Sequence, residues 1–554
     1  MRSRNVYKLM VWFGLLFCAT ATLANNGRLN ATANAHTRAQ IASSGQEMVD
    51  LIVTYRSRPN ASQRDVIVNH GGSVRHSFDV INGQAIRVPA HAAERLANNP
   101  NIERITMDEP VGAASTPASS VPTPLLTSFP DLEYSPYTGT GIAVAVIDSG
   151  MRSHPDKKPF ASQAFGYSKT DDKYGHGNHV AGIIAGTGDH SEGPYRGVAP
   201  AADIISLRVL DDYGQGLTSD VIAALDWVLA NKDQYNIRVA NLSLGHPVFE
   251  AAADDPLVQA VEAVWNAGVV VVCSAGNAGR DGYGTITSPG NSSRVLTVGS
   301  VTHWGDGDTM NDIISTYSSR GPTRIDRFVK PDLVTPGNRL ISIKAKDSYL
   351  AKTYPEREIV APGKATAEYL QLSGTSMAAA VVSGAVALML EQDPTLTPDT
   401  VKARLMRSAR KVDFSDVFAT GAGMLNIDAA LNETGYVSHA ASPRVIRDDT
   451  TERLGFENTS VLWGGDEWAL GYLWSDGYLW SDGYLWSDAY LWSDGYLWSD
   501  GYLWSDGYLW SDGYLWSDGY LWSDSYLWSD GYLWSDGYLW SDSELASDSE
   551  LVDD

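Results

Sequence analysis

Cysteine is nearly absent from this chain. Of the two in 554 residues, Cys18 lies in the N-terminal apolar stretch and Cys273 far downstream. Once the first segment is removed no internal disulfide can form, so the folded part must hold by its core alone. Positive charge is missing from one end. Residues 471–554 carry fifteen Asp and two Glu with no Lys or Arg, so −17 of the formal −25 sits there and −8 is left for the other 470 residues. No basic stripe stands out to neutralise phosphates, which argues against nucleic acid as a partner. Long apolar runs are also lacking beyond the start. Arg2, Arg4 and Lys8 flank the apolar stretch 9–18, and Thr22-Leu23-Ala24 offers a small-residue cleavage site. Residues 1–24 thus read as a secretory signal peptide, too short for a comfortable membrane span. The mature chain is expected to be secreted, extracellular or cell-surface associated, with no transmembrane segment.

What is present falls into blocks. Residues 25–46, rich in Ala, Asn and Ser, read as a spacer. Residues 47–111 read as a compact unit, with strands over 49–55 and 102–107, helices over 61–69 and 90–97, and two strands across 74–88 hinged at Asn82-Gly83. The order βαββαβ predicts a small ferredoxin-like split sheet with both helices on one face. Residues 112–130, rich in Ser, Pro, Thr and Ala, read as an exposed, easily cut linker. Across 131–435, apolar runs at 142–147, 204–209, 239–244, 269–274 and 295–301 alternate with helical patterns at 176–186, 219–231, 255–267 and 377–391. Several of the runs are apolar on both faces, so the pattern predicts a doubly wound α/β domain on a covered parallel sheet. Residues 436–470 read as a second linker.

The end of the chain is a repeat. Residues 471–542 are twelve copies of a hexapeptide, mostly GYLWSD, with Ala489 and Ser525 each replacing a glycine; decayed copies fill 543–554. The YLW triplet favours a strand and SDG a bend, so stacked copies predict a β-solenoid, whereas the acidity favours disorder. Rows of Asp offer calcium ligands, but a period of six does not match the nine-residue calcium-binding repeat. Rows of aromatics offer instead a grip on polysaccharide, a cell surface or insoluble protein.

Chemistry enters at strand and helix ends. In Gly374-Thr375-Ser376-Met377-Ala378, a glycine turn delivers a serine to the first turn of a helix. Free N–H groups and the positive dipole end there favour an oxyanion, although a plain serine cap has the same look. Asp148 ends a strand in Val146-Ile147-Asp148-Ser149-Gly150, and His176 opens the helix His176-Gly177-Asn178-His179-Val180-Ala181-Gly182. The two histidines lack the glutamate and the spacing of a zinc-protease pair. Asn277 follows an apolar strand in Ser274-Ala275-Gly276-Asn277. An orienting carboxylate, an imidazole base and a nucleophile in the order Asp, His, Ser form one of the known triad orders, and the Asn277 amide adds an oxyanion donor.

On these four signatures the region from about residue 134 to 431 resembles the subtilisin-like serine proteases. Gly197-Val198-Ala199-Pro200, the stretch Tyr317-Ser318-Ser319-Arg320-Gly321-Pro322 and Lys330-Pro331-Asp332-Leu333 agree with it. The resemblance implies a serine endopeptidase with Asp148, His176 and Ser376 as triad and Asn277 in the oxyanion hole, acting on polypeptides through an acyl-enzyme. It also implies that Ser243, Leu244 and Gly245 pair with an extended substrate and that Ser274, Ala275 and Gly276 wall the main specificity pocket. His179 does not match the catalytic histidine. The unit 47–111 resembles the family's inhibitory propeptide, which implies a zymogen that cuts itself within 112–130. Ala380 stands where the family usually has proline, and residues 344–368 exceed the family's compact pattern, as a substrate-side flap or a surface insertion. No cofactor is implied; structural calcium is common in the family, but no motif here assigns a site. The reading from another class is a surface-binding repeat protein with an inactive protease-like domain.

Overall fold

The computed structural model describes residues 27–113, 135–304, 312–410, 416–447, 454–457 and 462–463, and the backbone of the strands within 472–553. The signal-peptide reading of residues 1–24 lies outside the described residues.

Strands β1 (Met48–Tyr55), β2 (Ser73–Phe78), β3 (Gly83–Pro89) and β4 (Ile102–Met107) form an antiparallel sheet in the order β2-β3-β1-β4. Alternation along β1 sends Val49, Leu51, Val53 and Tyr55 to one face, where they share a core with the helices Ala61–Asn69 and Ala90–Leu96. Ile52 points the other way, into the core of the larger domain. A sheet covered on both faces has no solvent side, which is why so much of β1 is buried.

The spacer reading of 25–46 is corrected. Residues 27–44 form the helices Gly27–Thr32 and Ala35–Ser44. Leu29, Ala33, Thr37 and Ile41, each four residues on, are buried, and the three apolar ones join the small unit's core. Asn34 caps the second helix by accepting from the Thr37 amide at 2.7 Å. The linker reading of 112–130 is corrected at its start, since Gly112 and Ala113 end a strand, β5 (Pro110–Ala113).

The larger domain is built on β6 (Ala143–Asp148), β7 (Ala161–Ala164), β8 (Asp203–Arg208), β9 (Gln215–Leu217), β10 (Ile237–Leu242), β11 (Leu244–Gly245), β12 (Val270–Ser274), β13 (Leu296–Thr302), β14 (Ile313–Ile314) and β15 (Leu333–Pro336). Its main sheet runs β14-β13-β12-β10-β6-β8-β7, with β15 also on β13. All pairings are parallel except β13 with β14, so the sheet is mixed at one edge. One face is covered by the helices Thr218–Tyr235 and Pro256–Asn266, which pack on each other, and the other by the helices His176–Ala185 and Thr375–Gln392, so the strand interiors are fully buried. The run expected as one strand over 239–244 breaks at Ser243, and Leu244–Gly245 leaves for a different sheet.

Residues 344–368 are not loose. They supply the helix Tyr349–Thr353 and the strand β17 (Glu358–Val360), which joins β16 (Leu340–Ile343) and β18 (Ala367–Leu372) in the order β16-β18-β17. Helix Thr375–Gln392 has the length and hydropathy to cross a membrane, which the sequence reading denied to every stretch beyond the first. It is 89% buried inside the domain, so it is the core helix of the fold.

The linker reading of 436–470 is corrected for its described part. The Thr400 hydroxyl bonds Val437 O at 2.9 Å, Ser442 bonds the Asp332 carboxylate, and Leu462 and Trp463 are buried in the main core. Around Asp332 lie Lys330 Nζ at 2.6 Å and Lys402 Nζ at 3.2 Å, all three side chains fully buried. Burial alone would raise the Asp332 carboxyl; the two ammonium groups outweigh it and hold it below the usual range. Cys273 is free and buried at the end of β12, and burial pushes its thiol up to about 12.

In the tail each copy contributes a four-residue strand, and each pairs in parallel with the third copy on, so Tyr472 faces Tyr490, Tyr490 faces Tyr508 and Tyr508 faces Tyr526. Three such sheets result, of five, five and four strands. The decayed copies close two of them, with Glu544 opposite Tyr526 and Glu550 opposite Tyr532.

Candidate active site

Asp148 is the last residue of β6, at the carboxyl edge of the sheet. Its carboxylate accepts His176 Nδ1 at 2.8 Å and 2.9 Å through its two oxygens, and the Ser149 amide at 2.7 Å. His176 is the first residue of the helix His176–Ala185, and both side chains are fully buried. That helix start presses on the loop after β6. A Cβ on Gly177 would lie 2.2 Å from the Gly150 carbonyl oxygen, so only glycine allows the approach that joins His176 to Asp148.

Asp172 holds this corner together, and no motif announced it. Its carboxylate accepts the Gly175 amide at 2.6 Å and the Asn178 amide at 2.8 Å, capping the helix, and the Ser149 hydroxyl at 2.9 Å. Burial first, and the Asp148 charge besides, push its pKa up to about 6. His179 lies one turn on, with Nε2 against the carbonyls of Leu340 and Leu370 at 3.2 Å and 2.9 Å. Burial lowers its pKa to about 3, which keeps the ring neutral.

Ser376 is the second residue of helix Thr375–Gln392, which packs against the helix of His176. Its hydroxyl donates to the Ser243 carbonyl at 3.1 Å, while the Ser243 hydroxyl donates to the Ser376 carbonyl at 3.0 Å. Behind them Asn241 donates to the Ser243 hydroxyl at 2.9 Å, and the Ser383 hydroxyl donates to Asn241 at 3.0 Å. This chain ties the helix of Ser376 to the end of β10. Ala380 is fully buried within the unbroken helix.

Asn277 follows Gly276 beyond β12. Its Oδ1 accepts both the amide and the hydroxyl of Thr375 at 3.1 Å, which fixes the amide plane beside Ser376. The other end, Nδ2, is buried without a hydrogen-bond partner, and so is His176 Nε2. Buried polar atoms left unpaired are costly, so the two mark this corner of the domain as one that can still receive a hydrogen-bonding group.

Of the expected substrate-binding residues, Leu244 and Gly245 pair antiparallel with Ala113 and Gly112. On its other edge β5 pairs with β9, and Ala113 N donates to Gly214 O at 3.1 Å. The chain's own residues 110–113 thus fill the slot between β9 and β11. The other expected wall lies beside the turn that carries Ser376: Gly276 N donates to the Thr375 hydroxyl at 3.2 Å, and Ser274 and Ala275 are buried at the end of β12. Among the described residues no group of three or more His, Cys, Asp or Glu is gathered to hold a metal ion.

A buried carboxylate–imidazole pair, a serine at a helix start and a strand slot beside it are an arrangement that hydrolases use, here on a mostly parallel α/β sheet. The chain belongs to the subtilase family of serine proteases, whose Peptidase S8 family model matches residues 139–430. It is 38% identical over 300 residues to Serine protease AprX of Bacillus subtilis, spanning 52% of this chain and 66% of that protein. It is 31% identical over 438 residues to Subtilisin E of the same organism, 78% of this chain and 100% of the relative. In structure it resembles fervidolysin from Fervidobacterium pennivorans, with a TM-score of 0.56 at 22% identity over 70% of this chain and 61% of that one.

Proposed function

We propose that this is an exported serine endopeptidase made as a zymogen. Ser376 attacks the scissile carbonyl while His176 Nε2 takes its proton and later returns it to the leaving amine. Asp148 fixes the imidazole through Nδ1 and stabilises the cation that forms. Asn277 Nδ2 and the Ser376 amide bind the oxyanion. Substrate adds a strand against Ser243, Leu244 and Gly245, which is β-augmentation, with Ser274, Ala275 and Gly276 on the far side of the specificity pocket. The observation that carries this reading is the unpaired Asn277 Nδ2, oriented by Thr375 next to the serine.

The unit ending at Ala113 is its intramolecular inhibitor. It lies where substrate would lie, and it also completes the domain: Asp108 accepts the Ser219 amide at 2.8 Å and its hydroxyl at 2.6 Å, capping a helix whose own cap residue, Leu217, has no side-chain acceptor. Release requires a cut within the segment up to residue 130. The repeat tail carries the enzyme to a surface or an insoluble polysaccharide.

Two measurements test this. A fluorophosphonate probe labels the processed enzyme and fails with His176→Ala; no labelling of the wild type would favour an inactive, surface-binding protein. Ser376→Ala accumulates as full-length precursor, and normal processing of that variant with outside proteases excluded would refute self-cleavage. For the tail, deletion of residues 471–554 is expected to abolish co-sedimentation with insoluble polysaccharide.

A further inference from the structure

Three tyrosines stand in a row at the rim of the strand slot. The Tyr174 ring lies 6.2 Å from the His176 ring, Tyr349 stacks on Tyr174 at 6.0 Å, and Tyr213 meets Tyr349 edge-on at 5.3 Å. They come from three separate segments. Tyr174 precedes the helix of His176, Tyr213 sits in the turn before β9, and Tyr349 belongs to the segment 344–368. That last segment is anchored to the rim through its backbone, with Tyr349 N donating to Lys173 O at 2.8 Å and Leu350 N to Tyr174 O at 3.0 Å. Tyr213 is 66% exposed and Tyr349 41%, so the row is unusual: large aromatic rings spanning three segments, two of them with much of their surface in water.

The register in the slot says which substrate residue meets this row. Gly112 faces Gly245 and Ala113 faces Leu244. Ser243, the next residue back, takes the Ser376 hydroxyl on its carbonyl. A peptide in this register places the residue after the Ala113 position opposite the nucleophile, so the Ala113 position is second before the bond to be cut. Its amide bonds the Gly214 carbonyl, and the Tyr174 ring lies against Gly214 so closely that a Cβ there would be 2.5 Å from it. Alternation puts this position on the same face as Val111, which is fully buried in the main core, while Ala113 packs against that core with a single methyl.

Resting on the protease reading above, we infer that Tyr174, Tyr349 and Tyr213 form an aromatic clasp that limits the substrate residue second before the cut to a small side chain. Tyr174 is the inner wall. Tyr349 backs it, and the Tyr349–Tyr213 contact holds the two rims at a fixed separation, so a larger side chain meets a wall that cannot swing away. The segment 344–368 thereby acts as a specificity element of the cleavage site.

The test uses the processed enzyme and peptide substrates that differ only at that position, carrying Ala, Leu or Phe. Wild type prefers Ala. Tyr349→Ala narrows the Ala-to-Phe ratio of kcat/KM by about tenfold or more, the scale expected when a pocket wall is removed. Tyr349→Phe, which keeps the ring, retains the wild-type ratio. Should Tyr349→Ala fail to fold, Tyr213→Ala carries the same expectation, because its ring is mostly exposed and outside the core. An unchanged ratio in the folded variants overturns the clasp. Failure of the wild type to cleave any of the peptides, together with no fluorophosphonate labelling, would instead overturn the protease reading on which the clasp rests.

Discussion

Leaving the Asn277 amide nitrogen unpaired in the interior costs the folded domain roughly 1–3 kcal/mol, and the two Thr375 bonds to its oxygen prevent the side chain from turning to relieve it. On the proposed mechanism that cost is recovered when negative charge develops beside it. Asn277→Ala should therefore lower kcat by about 10²–10³-fold with little change in KM, the effect known for a subtilisin's oxyanion-hole asparagine. Thr375→Val, which removes only the hydroxyl, should lower kcat by about tenfold, since a misaimed donor loses part of that stabilisation. Steady-state kinetics on a peptide substrate checks both, and an unchanged kcat in Asn277→Ala would remove it from the mechanism. At this scale the sequence was informative where a residue sits in a short motif. Asp148 ends a strand, His176 and Ser376 lie in the first turn of a helix, and Asn277 follows a strand in a short motif, so local pattern singles them out. Asp172, Asn241 and Ser383 act through hydrogen bonds to residues as much as 142 positions away. No local spacing marks such partners, and Asp172 looks like any loop aspartate until its three donors are seen.

Among the elements, those with strong periodicity were read to within a residue or two. The helix Ala61–Asn69 and the strand Ile102–Met107 have the expected bounds. The expected helix over 219–231 extends to Tyr235 because its last turn packs on the domain rather than ending at a break. The misreadings share a cause. Residues 27–44 and 436–447 are polar in composition, yet a few small or apolar residues at the right spacing suffice to dock them on a core that already exists. Ser442 does so through a buried charge cluster. Replacing Asp332 by Ala would leave the Lys330 and Lys402 ammonium groups buried without their carboxylate. The expected loss is about 3–5 kcal/mol in urea unfolding of the Ser376→Ala precursor, enough to free residues 436–447 to proteolysis. A loss under about 1 kcal/mol, the range of an exposed pair, would show that the cluster is solvated.

Across the whole molecule, the junction between the N-terminal unit and the protease domain is where pH should act. Burial, with Asp255 nearby, pushes Glu250 up to about 8, and burial pushes Asp108 up to about 6. Arg104 of the small unit lies 3.5 Å from Glu250, and Arg75 and His76 both contact Asp220. Separation returns the two raised carboxyls to water and to ordinary values. The docked state thus binds more protons between the usual carboxylate range and about pH 8, so docking is strongest in acid and weakens as pH rises through that window. Residual inhibition of the processed enzyme should fall from pH 5.5 to 8.5, and Glu250→Gln should flatten the profile; a profile that rises with pH would contradict the assignment. At the other end, Glu544 and Glu550 oppose Tyr526 and Tyr532 on the last strands. The threading of residues 110–113 between β9 and β11 has one more effect. On the zymogen reading proposed above, the N-terminal unit is tethered to its target at a high effective concentration while the chain is continuous; after a cut, with Cys273 the single cysteine beyond the first 24 residues, no covalent bond would retain it. On the same reading, release into a large volume would switch the enzyme on by dilution itself.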